Sequence, residues 1–196
     1  GSTNYGKYVG NPLKEAQAQY NTKAKRQALL KEGLKELGKS TDLSKLNFVY
    51  LTVGSDDTGT WLKQAIKQQL GVKVTIKTAP DDASFIQIRN NNQYDLMNNG
   101  WSASADPNSY LSLWNSNNGF QKFFGGYSSK TFDDLDNKLN GNLPTKERLA
   151  LYKQLETQLV AKDFGVVPLT NPQSRVYINK SVKNLQTTVF GGTFNY

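Results

Sequence analysis

Three neighbouring segments predict an α/β fold with a mainly parallel sheet flanked by helices. FVYLTV (48–53) is a continuous β-branched and aromatic run closed by Gly54, as expected of a strand covered on both faces. TWLKQAIKQQL (60–70) sets Trp61, Leu62, Ala65, Ile66 and Leu70 at helical spacing, with Gly71 as the stop. VKVTIKT (72–78) alternates apolar and polar residues. A strand, a helix and a strand on short links form a βαβ unit, so the two strands should run parallel.

The remaining elements follow in chain order. Gly1-Ser2 reads as a cloning remnant, and residues 3–20, with Pro12 and little periodicity, as an extended lead-in. From Asn21, a candidate cap, TKAKRQALLKEGLKEL keeps Ala24, Ala28, Leu29, Leu34 and Leu37 near one face, and Gly38 ends the helix. Asp81 and Asp82 can cap a helix over ASFIQIRNN, and YDLMNNG (94–100) begins as a third strand. The second half is more helical. SYLSLW (109–114) predicts a short helix after Asp106-Pro107, and SSKTFDDLDNKLN another with Phe132, Leu135 and Leu139 on one face. TKERLALYKQLETQLVAKD (145–163) predicts a long one burying Leu149, Tyr152, Leu155, Leu159 and Val160. VVPLT (166–170) and RVYINK (175–180) read as short strands, with Pro168 implying an edge or an end.

Composition removes several function classes. The 196 residues contain neither histidine nor cysteine, which excludes disulfides, thiolate nucleophiles, Cys/His zinc sites and histidine-based triads. A cysteine-free chain fits an exported Gram-positive protein and equally an engineered fragment. The net charge of +8 is concentrated on residues 1–45, where Lys23, Lys31, Lys35 and Lys39 interleave with Glu32 and Glu36. That pattern describes a solvated helix face, and no nucleic-acid-binding motif accompanies it. GSDDTG lacks the Lys-Ser/Thr of a phosphate loop. Carboxylate-only hydrolysis needs two acids facing one cleft, and only the Asp56/Asp57 and Asp106 loops offer them. No catalytic residue, cofactor or metal is therefore expected.

Ligands of open parallel sheets bind beyond the carboxyl ends of the strands. Two loops leave strands there, GSDDTGT (54–60) and GWSASADP (100–107). Their candidate ligand-binding residues are Gly54, Ser55, Asp56, Trp101, Ser102, Ala103, Ser104 and Asp106. Gly54 and Gly100 allow sharp turns or a close backbone approach, and an aromatic among hydrogen-bonding neighbours suits a polar small-molecule or peptide site. Competing roles exist for several of them. Trp101 also suits a core anchor at a strand end, while Asp56, Asp57 and Asp106 all stand where helix caps are expected. Asp133, Asp134 and Asp136 read as solvated, and Trp114 as core.

The order of three stretches carries a family likeness: YDLMNNGWSASADPNSYLSLW, then GGYSSKTFDDLDNKLN, then TKERLALYKQLETQLVAKDFGVVPLTNP. With the lysine-rich helix and WLKQAIKQQLGVKVTI before them, they resemble the C-terminal lobe of the extracytoplasmic oligopeptide-binding proteins of ABC importers (solute-binding protein family 5). The likeness runs from about Asn21 to Asn184. It implies a single lobe of a type II periplasmic-binding-protein fold, with residues 21–184 as the peptide-binding lobe. Residues 185–196 would be a tail crossing to a missing N-terminal lobe. Some members pair a peptide ammonium with an Asp three residues after the Gly-Trp tryptophan. Ser104 stands there, in a loop one residue shorter, so either Asp106 takes over or the peptide is held by backbone contacts; the second is the preferred expectation.

The resemblance thus implies noncovalent oligopeptide capture for import, with Trp101 framing the pocket. Backbone groups of 101–104 and 54–57 would bond the peptide main chain. The implied partners are the N-terminal lobe and an ABC permease. The implied location is the extracellular face of a membrane-anchored lipoprotein, its lipid anchor outside this chain. The alternative is a cell-surface adhesion module that reuses the same lobe through its basic helix.

Overall fold

β1 (Asn47–Val53) is the middle of a three-stranded parallel sheet, paired on one side with β2 (Lys73–Ala79) and on the other with β3 (Leu96–Met97). The computed structural model describes residues 2–101, 106–170, 177–183, 185–187 and 193–195. Being central explains the unbroken apolar run of β1: Tyr50 and Leu51, on opposite faces, are both fully buried. β2 keeps its alternation, with Val74 buried and its neighbours Lys73 and Thr75 exposed. β3 is only two residues long, and Asp95 starts it. The Asp95 carboxylate accepts from the Val49 N–H at 2.7 Å while its own N–H donates to the Val49 carbonyl at 2.9 Å.

Side-chain caps set the helix starts around the sheet. Thr22 caps α3 (Lys23–Glu36), Asp56 caps α4 (Asp57–Leu70) and Asp81 caps α5 (Asp82–Asn90), each accepting a backbone N–H of the first turn. α4 therefore begins three residues before the apolar periodicity does. Gly71 ends it at φ +80°, a conformation that costs glycine little. α3 and α4 pack together and close a core of Leu34, Leu43 and Val72, with Phe48 and Ile66 against it. α5 lies on β1 and β2.

A second core is helical. Leu111 of α6 (Asn108–Leu111), Phe132 of α7 (Lys130–Asn137) and Tyr152 and Leu155 of α8 (Thr145–Glu156) are buried together. Leu159 and Val160 join them from a π-helical turn, Thr157–Lys162, that continues α8.

Two sequence expectations change. The lead-in is not extended: α1 (Ser2–Val9) and α2 (Pro12–Gln17) are helices. Asn11 accepts from the Lys14 N–H at 2.9 Å and Pro12 occupies the first turn, an N-terminal signal the weak periodicity obscured. α2 packs on the π-helical turn Thr157–Lys162 and α1 on α8, where Tyr5 donates to Glu156 and packs edge-on against Tyr152, with ring centroids 5.9 Å apart. The second change concerns 166–170, which form no strand. Val167 and Leu169 are exposed, and among the described residues no strand pairs with them, as Pro168 already discouraged. Residues 177–180 are not a strand either, and 175–176 lie outside the described residues. In the tail, β4 (Leu185–Thr187) and β5 (Thr193–Asn195) pair antiparallel.

α4 approaches β1 closely at one point. A Cβ added to Gly59 would stand 2.6 Å from the Tyr50 ring, which is fully buried and has nowhere to move. Gly59→Ala should therefore destabilise the fold by about 1–3 kcal/mol. A lowered urea midpoint with an unchanged denaturant slope is the expected result.

Candidate functional site

Both candidate loops leave the sheet from the carboxyl ends of adjacent parallel strands, 54–56 after β1 and 98–101 after β3. Gly54 takes φ +65°, which turns the chain out of β1. Gly100 has no such requirement and open space around it. Ser55 is exposed. The Asp56 carboxylate, rather than standing open to a ligand, accepts from the Thr58 N–H at 2.9 Å and from the Tyr50 hydroxyl at 2.5 Å.

Asp106 behaves similarly. One carboxylate oxygen accepts from the Asn108 N–H at 3.0 Å and from the Tyr152 hydroxyl at 2.8 Å, tying the loop to α8. The helix begins at Asn108, one residue before the expected SYLSLW segment, with Pro107 rather than Asp106 as its cap residue and the Asp106 carbonyl accepting from the Ser109 N–H. Ser102, Ala103 and Ser104 lie outside the described residues.

Trp101 is 42% exposed, so it is not a buried core anchor. It forms one wall of a cavity of about 220 Å³ with Gly100, Asn99, Arg89, Phe120 and Phe123. The Trp101 and Phe120 rings meet edge-on at 5.3 Å, and Phe120 leans on Phe123 at 5.7 Å. Arg89, at the end of α5 and only 7% exposed, lays its guanidinium 4.4 Å from the Phe123 ring centroid. Its bonds to Asn90 are long, at 3.4 Å, and neither ion pair found among the described residues involves it. Gly54, Ser55 and Asp56 do not line this cavity. A space this small is below the usual range for whole ligands, so it suits one side chain or terminal group of a longer molecule.

Sequence reasoning missed Arg89, Asn99, Phe120 and Phe123. Arg89 reads as the polar end of an amphipathic helix, and only the aromatic clustering of GFQKFF (119–124) in a polar region marks the opposite wall. A larger groove of about 440 Å³ lies on the helical half, between Tyr8 of α1, Leu135 of α7 and Lys153 of α8. Flexible lysine and glutamine side chains line much of it, and it is not at the strand ends. Among the described residues no group of three or more acidic side chains is placed to hold a metal ion, and no helix is long and apolar enough to cross a membrane.

Residues 2–122 match the family model of bacterial extracellular solute-binding proteins, family 5 Middle. The chain belongs to that family. Among solved structures, this family 5 chain is similar to the substrate-binding domain of an oligopeptide ABC transporter from Bacillus anthracis str. Ames. That pair shows 27% identity and a TM-score of 0.64 over 78% of this chain and 30% of the other. A peptide-binding protein of a peptide ABC transporter gives 28%, 0.60, 74% and 64% for the same quantities. The pheromone receptor PrgZ, whose mode of peptide binding was solved, gives 28%, 0.60, 75% and 28%. The chain therefore spans less than two thirds of each of these relatives. No curated protein matches it. The likeness extends to the fold, an α/β lobe of the periplasmic-binding-protein type.

The Asp56 bond has a pH signature. Burial alone would raise this carboxyl, but the Tyr50 hydroxyl and the Gly59 and Thr58 N–H groups outweigh it and hold the group below its ordinary range. The folded state then binds this proton less readily than the unfolded chain does. Its contribution to stability is full above roughly pH 4 and is lost as pH falls through the folded value. Asp136 and Glu156, both raised by burial, act in the opposite sense. Asp56→Asn keeps a capping oxygen but cannot titrate, so it should lose less stability than wild type between about pH 5 and about pH 3. Urea midpoints at the two pH values provide the comparison.

Proposed function

We propose that this chain is the peptide-contacting portion of a solute-binding protein that captures oligopeptides noncovalently for an ABC importer. The observation that carries the reading is the half-exposed Trp101, set with Phe120, Phe123 and Arg89 at the carboxyl ends of a parallel sheet. Peptides present side chains and termini of the size this cavity holds, and backbone groups that the adjoining loops can meet. Apolar side chains would pack on the rings, and a carboxylate would meet the guanidinium.

Backbone atoms of the 54–57 and 101–104 loops would supply main-chain hydrogen bonds. The Asp56 and Asp106 carboxylates, already bonded to tyrosines, serve loop geometry rather than charge recognition. An amine-gripping acid is therefore not part of this reading, in keeping with Ser104. Capture is completed by a second lobe of the same longer protein, which delivers the peptide to a permease at the outer face of a membrane. A lipid anchor outside this chain would hold it there. The relatives are binding proteins of transporters, and the described residues that line the cavity include no nucleophile or histidine base; the reading involves no chemical step.

Calorimetry with a mixed oligopeptide pool tests this reading. The longer protein should bind, Trp101→Ala should weaken binding by roughly tenfold or more, and this chain alone should bind weakly. Unchanged affinity in the variant, or submicromolar affinity of this chain alone, would contradict it.

A further inference from the structure

We infer that Asp133 and Asp136 of α7 are positioning residues for the aromatic cavity, acting through the loop 115–118. The inference rests on the reading of that cavity as the ligand site. Asp133 accepts from the Ser116 N–H at 2.9 Å and from its hydroxyl at 2.5 Å. Asp136, three residues on and 9% exposed, accepts from the Asn115 carboxamide at 2.8 Å, and Asn115 is itself 7% exposed. The third aspartate of this helix shows the contrast: Asp134 points outward and pairs with Lys130 at 2.8 Å.

The loop reads Asn-Ser-Asn-Asn and has no apolar side chain to anchor it, so hydrogen bonds set its position. Asn115 passes the restraint along: its carboxamide oxygen accepts from the Asn117 N–H at 3.0 Å, and its carbonyl from the Asn118 N–H at 2.8 Å. Asn118 donates to the Ser112 carbonyl at 2.9 Å and accepts from the Phe120 N–H at 3.0 Å. The turn that starts there, Gly119–Phe124, carries Phe120 to Trp101 and Phe123 to Arg89. A continuous set of hydrogen bonds thus runs from two carboxylates on α7 to the cavity wall. Burying a carboxylate beside an apolar core is costly unless it is bonded, which makes this arrangement rigid once formed.

The test is an NMR measurement on this chain that reads the wall directly: the contact between the Trp101 indole and the Phe120 ring, seen as a nuclear Overhauser effect. Asp133→Ala and Asp136→Ala should abolish it, while Asp136→Asn, which keeps an acceptor oxygen, and the control Asp134→Ala should retain it. Methyl signals of Leu51 and Val72 should stay unchanged throughout. Ser116→Ala removes one hydroxyl and should weaken the contact even where the alanine variants of α7 fail to fold. Persistence of the contact in all folded variants, or its loss together with the sheet methyl signals, would overturn the inference. Peptide plays no part in this readout, so a longer protein that binds no peptide would defeat the functional reading separately.

Discussion

The hydrogen bond from the buried Tyr50 hydroxyl to Asp56 is the contact around which the site end of the sheet is arranged. It joins the central strand to the cap of α4, and Gly59 exists where it does because the ring fills the space beneath that helix. Burial first, then the carboxylate, pushes the phenol well above its ordinary value, with the Asn98 backbone acting the other way. Tyr50 therefore senses both loops that leave this end of the sheet. A phenol that stays protonated at any ordinary pH is a permanent donor, and a carboxylate acceptor makes the bond stronger than a neutral one.

The same device recurs. Tyr152 holds Asp106, Tyr127 donates to Asp163 at 2.6 Å, and Tyr5 donates to Glu156. In a chain without cysteine, such pairs do part of the work of linking distant segments. Their consequence for function is specific. Asp56 and Asp106 are both engaged with the scaffold, so in the proposed site recognition would fall to aromatic faces, backbone groups and the Arg89 guanidinium.

Much of this was legible in the sequence wherever the signal is local. The βαβ unit follows from the run FVYLTV and the alternation of VKVTIKT, and Asp81 and Asp56 cap the helices as acids before apolar runs should. That Trp101 would stand at the strand ends, where it lines a cavity, was readable from a strand followed by an aromatic in a polar loop. What failed was tertiary. α1 packs on α8 and α2 on the π-helical turn that continues it, more than a hundred residues away, and short helices leave little periodicity to read. Asp133 and Asp136 look like solvated charges until the Asn115–Asn118 loop folds onto them. Phe120, Phe123 and Arg89 become one cavity wall only when α5 and the Gly119–Phe124 turn meet. Asp106 carried two readings, and the choice depended on a tyrosine 46 residues further on.

The central claim is that the loop carboxylates organise the site without touching the ligand. A crystal structure of the longer protein with a bound oligopeptide tests it most directly. Peptide should lie against Trp101 and Phe120, with Asp56 still accepting from Tyr50 and Asp106 from Tyr152. A structure in which either carboxylate has left its tyrosine to bond the peptide would contradict it.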